Sequence, residues 1–131
     1  MIVDTSAIMA IILGEPEAGR LLRAIAEANS VSMSAATYVE CGIVIDRRSP
    51  PATRRRFDQL LDSLDVKVVA LTPEQAVLAR EAHRDFGRGS GSPAALNLGD
   101  CFAYALAAAL DDELLFKGED FAATDLVAAE Y

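Results

Sequence analysis

MIVDTSAIMAIILGEPEAGR, residues 1–20, starts with two apolar β-formers, Ile2 and Val3, meets an acid at Asp4, and then launches an apolar stretch from Thr5-Ser6. Ile2-Val3 reads as a short buried strand. Ala7, Ile8, Ala10, Ile11 and Ile12 form the body of a helix that Thr5 or Ser6 can cap and Gly14 ends. A carboxylate therefore stands at the end of the first buried strand. Capping the next helix accounts for one such acid. A functional site requires that other carboxylates be brought to it.

The alternation continues along the chain. Pro16 suits a helix first turn, and Leu21, Leu22, Ile25 and Ala26 give a helical stripe to about Asn29. Ser30 to Met33 reads as a strand, and Ser34 caps a helix to about Asp46 with Ala36, Val39, Ile43 and Val44 apolar. Ser49-Pro50-Pro51 is a break. A helix over about 52–64 carries Phe57, Leu60, Leu61 and Leu64 on one side, with Arg54, Arg55 and Arg56 at its start. Val66 to Leu71 is β-branched and strand-like. Pro73 opens a helix to about Phe86. The Gly87–Pro93 stretch is a glycine-serine loop without the Gly-Lys-Ser/Thr ending of a phosphate cradle. Asp100 begins an apolar helix over Cys101–Leu110 that should be buried. Leu114-Leu115-Phe116 is a strand, and Leu126-Val127 is the candidate for a last one. Strands alternating with helices predict one α/β domain over residues 1–131, a three-layer sandwich with a central, mostly parallel sheet flanked by helices. In such sheets, ligands bind beyond the carboxyl ends of the strands.

Bulk properties narrow the function. With 52% hydrophobic residues, the 131-residue chain can build a core without staples. The longest apolar run is too short to span a bilayer, and no basic leader precedes it, so the expected location is cytoplasmic, with no membrane partner. Two cysteines, Cys41 and Cys101, lie in apolar helical contexts and form no metal pattern; reduced, buried thiols are expected. A single histidine, His83, rules out a histidine pair for zinc or for acid-base work. A net charge of −8 argues against nonspecific binding of nucleic acid.

Most of the acids fall on helix ends or polar faces, Glu15, Glu17, Asp62, Asp65, Glu74, Glu81, Asp111, Asp112 and Glu113 among them, and read as solvated. Three do not. Asp4 follows a buried strand, where its plain alternative is a cap. Glu40 has Ala36, Thr37, Ile43 and Val44 as helical neighbours, a mostly apolar setting that is costly for a carboxylate without a cation, unless the assumed helical phase is wrong. Asp100 starts an apolar helix, and its plain alternative is again a cap. Three carboxylates brought together repel one another, and at least one takes a proton. A hard divalent cation resolves the repulsion, because Mg²⁺ or Mn²⁺ prefers oxygen donors and keeps several waters. Metal-assisted hydrolysis is the chemistry that these residues support best.

Four stretches carry a family resemblance: Val3-Asp4-Thr5-Ser6-Ala7, Tyr38-Val39-Glu40, Leu98 to Ala107, and Leu114 to Phe121 with Thr124-Asp125. Together, in this order and spacing, they resemble PIN-domain ribonucleases and, more closely, the VapC toxins of bacterial toxin–antitoxin systems. The resemblance covers essentially the whole chain. It implies a Mg²⁺-dependent (Mn²⁺ as alternative) endoribonuclease that cleaves tRNA, rRNA or mRNA and so inhibits translation. It also implies a homodimer and a cognate VapB-type antitoxin that blocks the site. Asp4, Glu40 and Asp100 match the family's acidic metal-site positions. A fourth acid is expected after the strand ending at Phe116; Asp120 is the choice, with Glu119 and Asp125 as alternatives. Ser6 matches a small hydroxyl that orients Asp4 or a bound water, and Asn97 lies in the same neighbourhood. One metal or two would serve.

An acidic chain that cleaves RNA needs local positive charge. Arg47, Arg48, Arg54, Arg55 and Arg56 flank the Pro50-Pro51 turn, and Arg80, Arg84 and Arg88 lead into the glycine loop. Their phosphate contacts would make binding salt-sensitive; each group also reads as an ordinary solvated helix face. Few aromatics stand beside them, so no base-stacking platform is evident. Two other readings compete with the nuclease. A non-catalytic relative that only binds RNA or protein would be expected to have lost one of the three acids. A phosphatase or receiver-like phosphoacceptor would need a second early acid, which Asp4-Thr5-Ser6 lacks, although Lys117 after a late strand fits the latter.

Overall fold

The computed structural model describes residues 1–48 and 50–131; Ser49, within the expected break, and the side chains of Arg48 and Pro51 lie outside the described residues. Four strands, β1 (Ile2–Val3), β2 (Val31–Ser34), β3 (Val66–Val69) and β4 (Leu114–Leu115), form one sheet in the order β3-β2-β1-β4. All three pairings are parallel, with Ile2 opposite Leu114 and Val3 opposite Leu115. Six helices connect them: α1 (Thr5–Leu13), α2 (Ala18–Glu27), α3 (Ala35–Arg48), α4 (Pro51–Ser63), α5 (Pro73–Phe86) and α6 (Leu98–Leu110).

Side chains alternate across a strand, and here the alternation sorts the core into two layers. Val3 and Leu115 pack with Ile8, Ile11, Leu21, Ile25, Cys41, Ile45, Phe57 and Leu61 from α1–α4. Ile2 and Leu114 pack on the other face with Ala79 and Ala82 of α5 and Cys101, Ala103 and Leu106 of α6. The stripes read on α2 and α4 are thus core. Both cysteines are buried free thiols, as expected. Among the described residues, no helix is long and apolar enough to cross a membrane.

Four local expectations are corrected. The cap of α1 is Asp4, not Thr5 or Ser6, because the Asp4 carboxylate reaches back to the Ser6 amide. The apolar helix α6 begins at Leu98, two residues before Asp100, with Asn97 as its cap. No strand forms at Leu126-Val127; the chain there makes only an isolated bridge between Leu114 and Ala128. On α3 the buried side is Thr37, Cys41 and Ile45, whereas Val39 and Ile43 face solvent. The helical phase read from the apolar neighbours of Glu40 was therefore rotated, and Glu40 lies at the border of the buried face.

Candidate active site

In the order β3-β2-β1-β4 the direction of winding reverses between β1 and β4, and a crevice opens beyond the strand ends at such a point. Asp4 stands there. Its amide donates to Leu115 O at 3.0 Å, which ties it to the end of β4. Its side chain is 3% exposed. Oδ2 accepts from the Ser6 amide at 2.8 Å and from Ser6 Oγ at 2.6 Å. Oδ1 is buried and accepts nothing in the structure. The Ser6 hydroxyl is held from its other side by the Lys117 amide, 2.9 Å away, so its proton is committed to Asp4. Burial pushes the Asp4 pKa up against the Ser6 and Thr5 hydrogen bonds, and the charge of Asp120 pushes it further.

Glu40 comes in from α3, half-buried. Its Oε2 accepts from Thr5 Oγ1 at 3.1 Å, and its carboxylate lies against Gly99 of α6. Burial raises its pKa, the Thr5 hydroxyl opposes that, and Asp4 adds to it. Asp100 occupies the first turn of α6. Its Oδ2 accepts from the Asn97 amide at 2.7 Å while the Asp100 amide donates to Asn97 Oδ1 at 3.1 Å, a reciprocal capping box. Burial pushes its pKa up to about 6; the Asn97 amide works against that, and the charges of Asp4, Asp120 and Glu40 add to it.

The loop after β4 carries the three candidates for a fourth acid, Glu119, Asp120 and Asp125. The charge that reaches Asp4 and Asp100 from this loop is that of Asp120, which is itself exposed. Asp125 is engaged elsewhere, accepting from Tyr104 Oη at 2.6 Å. Glu119 is exposed. Asp4, Glu40, Asp100 and Asp120 thus share one electrostatic neighbourhood, although among the described residues no three His, Cys, Asp or Glu side chains close into a ready-made metal cage.

Several residues escaped the sequence reading. Thr5, taken for a cap, donates to Glu40 instead. Glu15 and Glu17, read as solvated, both pair with Lys117 Nζ, the second at 3.3 Å, and so pin the α1–α2 turn to the end of β4. Nothing in a single sequence signals that pairing across 100 positions. The capping box did have a signal, the Asn-x-x-Asp spacing of residues 97–100. Of the arginines, Arg54 pairs with Asp46, with Nε and Oδ1 3.7 Å apart, and Arg84 with Asp85 at 2.7 Å; Arg47, Arg55, Arg56 and Arg80 are exposed.

Comparison with known proteins agrees with this architecture. The family model for the PIN domain matches residues 1–126. The chain is 49% identical over 129 residues to Ribonuclease VapC28 of Mycobacterium tuberculosis, covering 98% of this chain and 97% of that protein. It is 44% identical over 128 residues to a Ribonuclease VapC of Mycolicibacterium smegmatis, covering 98% of both. Among solved structures it superposes on Mycobacterium tuberculosis VapC20, a sarcin-ricin loop cleaving toxin, with a TM-score of 0.78 at 20% identity over 99% of this chain and 98% of that one. A toxin–antitoxin complex from Klebsiella pneumoniae gives a TM-score of 0.74 at 19% identity, over 99% of this chain and 97% of that one. The acids gathered near the sheet's reversal, the family match over residues 1–126 and the near-half identity lead to one assignment: the chain belongs to the PIN-domain family and, within it, to the VapC ribonucleases.

Proposed function

We propose that the chain is a Mg²⁺- or Mn²⁺-dependent endoribonuclease toxin whose working residues are Asp4, Glu40, Asp100 and Asp120, with Ser6 orienting Asp4. Membership of the VapC ribonucleases carries RNA cleavage and restraint by an antitoxin; the substrate is a tRNA, rRNA or mRNA whose loss stops translation.

The observation that carries the metal is Asp4 Oδ1. A buried carboxylate oxygen without a donor is costly, and the cost is relieved by a proton or by a cation. The three carboxylates around it are shifted the same way or lie close enough to shift it. The donor set is all oxygen, which suits a hard cation that keeps part of its water shell and so needs no closed protein cage. Asp4 Oδ1, Glu40, Asp100 Oδ1 and Asp120 would hold it. When bound, such an ion supplies a water acidified toward neutrality and positive charge beside the phosphodiester.

The chain's own residues do the rest. Ser6 keeps Asp4 Oδ2 occupied, so Oδ1 is the oxygen left free of a donor. Asp100, at about 6, can hold a proton in mildly acidic conditions and release it as positive charge approaches. The exposed Arg47, Arg55, Arg56 and Arg80 supply phosphate contacts that a net charge of −8 otherwise denies to RNA. A homodimer belongs to the same proposal: Leu98 and Val77, 67% and 57% exposed, give α5 and α6 an apolar outer face that a second copy would cover.

The test is Mn²⁺ titration calorimetry with RNA cleavage on the same samples, comparing the native protein with an Asp4→Asn, Glu40→Gln double variant. Heat of binding and cleavage should vanish together. Equal Mn²⁺ binding by both proteins, with no cation-dependent cleavage by either, refutes the proposal.

A further inference from the structure

Gly99 is the second residue of α6 and is buried. Its backbone does not require glycine, since it lies in regular helix, and glycine weakens a helix relative to alanine. What the position lacks is room. A Cβ there would overlap Oε1, Cδ and Oε2 of Glu40. Of the eight glycines, it alone makes space for one of the site carboxylates; Gly14, Gly89, Gly91 and Gly118 meet a demand for positive φ, and Gly87 an approach to the His83 carbonyl. Thr5 Oγ1 also reaches this carboxylate, donating to Glu40 Oε2 at 3.1 Å. The carboxylate is therefore in contact with both the first residue of α1 and the second residue of α6.

We infer that Gly99 is a positioning residue for the cleavage reaction: the missing side chain, together with the Thr5 hydroxyl, seats the Glu40 carboxylate at the site. The inference rests on the reading of Glu40 proposed above. Gly99→Ala leaves every charge in place and moves only where one of them stands. Since alanine favours the helix, this variant should fold as well as the native protein while losing function, a pattern that a purely structural glycine would not give.

The experiment compares Gly99→Ala, Thr5→Val and Glu40→Gln, and each of the first two paired with Glu40→Gln, by Mn²⁺ calorimetry, RNA cleavage and thermal melting. Gly99→Ala should keep its melting temperature and weaken Mn²⁺ binding and kcat/KM by about 10–100-fold, the usual effect of losing a group that orients a ligand. In the Glu40→Gln background it should cost nothing more, because its whole effect passes through that carboxylate. Equal losses in both backgrounds would overturn the inference, as would native Mn²⁺ affinity in Gly99→Ala while Glu40→Gln has lost it. Native affinity in Glu40→Gln itself would remove the underlying reading and the inference with it. Should Gly99→Ala fail to fold, Thr5→Val must show the same background-dependent loss, and an additive loss there overturns the inference.

Discussion

Without divalent cation, raising the pH should destabilise this protein. Asp100 rises from 3.8 to about 6 because it is buried and because Asp4, Asp120 and Glu40 press like charge upon it. The folded state therefore holds that proton more tightly than the unfolded chain does. The stability linked to it is complete below about pH 4 and is lost as the pH rises through about 6. The span from 3.8 to about 6 is worth about 3 kcal/mol. Asp100 is only half-buried, so screening by solvent leaves roughly half of that, about 1.5 kcal/mol. For a chain of this size the whole loss lowers the melting temperature by about 4–7 °C, about half of it above pH 5. Asp4 and Glu40 shift in the same direction and deepen the effect. Glu17, Glu74 and Asp85 shift downward, so their contribution is lost only as the pH falls below their ordinary values of 4.5, 4.5 and 3.8, outside the window.

A cation bound as proposed would reverse the slope. It would have to displace the Asp100 proton, which would weaken binding about elevenfold at pH 5 and hardly at all at pH 8. Melts followed by circular dichroism between pH 5 and 8, in chelator and in excess Mg²⁺, measure both limbs. The chelator melts should fall with pH, and the gain from Mg²⁺ should grow. Asp100→Asn keeps an acceptor for the Asn97 amide and should flatten the chelator slope while raising stability at pH 8. A native protein that melts higher at pH 8 than at pH 5 in chelator, or an Asp100→Asn variant with the native slope, would refute the reasoning.

Two further outcomes follow from the geometry. Asp120→Asn should reduce cleavage at least 100-fold with little change in melting temperature, whereas Asp125→Asn should cost about 1–2 kcal/mol of stability through its bond from Tyr104 and spare most of the cleavage; paired cleavage assays and melts decide, and the reverse pattern would make Asp125 the fourth acid. Leu98→Asp should leave the fold intact, since Leu98 is exposed, and convert a dimer of roughly twice 13.9 kDa to monomer; a sedimentation mass of one chain for the native protein would remove the dimer.

The layered fold was legible because each strand is short, apolar and followed by a helix signal: Ile2-Val3 before Thr5, Val31 to Met33 before Ser34, Leu114-Leu115 after the apolar α6. The acids were legible because charge at a strand end or inside an apolar helix breaks the pattern around it. Glu40 was singled out through a wrong helical phase, since apolar neighbours on a short protein's helix do not all face inward; Val39 and Ile43 are outside. The supports could not be read. Thr5 meets Glu40 across 35 positions, and Lys117 meets Glu15 and Ser6 across more than 100, distances at which one sequence carries no local signal.

Capping and metal binding looked like rival explanations for Asp4 and Asp100, and the structure makes them compatible. Each carboxylate spends one oxygen on a helix N-terminus, Asp4 Oδ2 on the Ser6 amide and Asp100 Oδ2 on the Asn97 amide. That leaves Asp4 Oδ1 buried and without a donor. The starts of α1 and α6 are thereby brought to the same place, and their positive ends temper a repulsion that would otherwise push the acids apart or protonate them all. The arrangement has a consequence for mutagenesis. Asparagine preserves the capping acceptor and removes the charge, whereas alanine removes both. An Asp→Ala loss at either position would therefore mix a broken cap, about 1 kcal/mol, with loss of the proposed ligand. Only the Asp→Asn variants separate the fold from the chemistry that it carries.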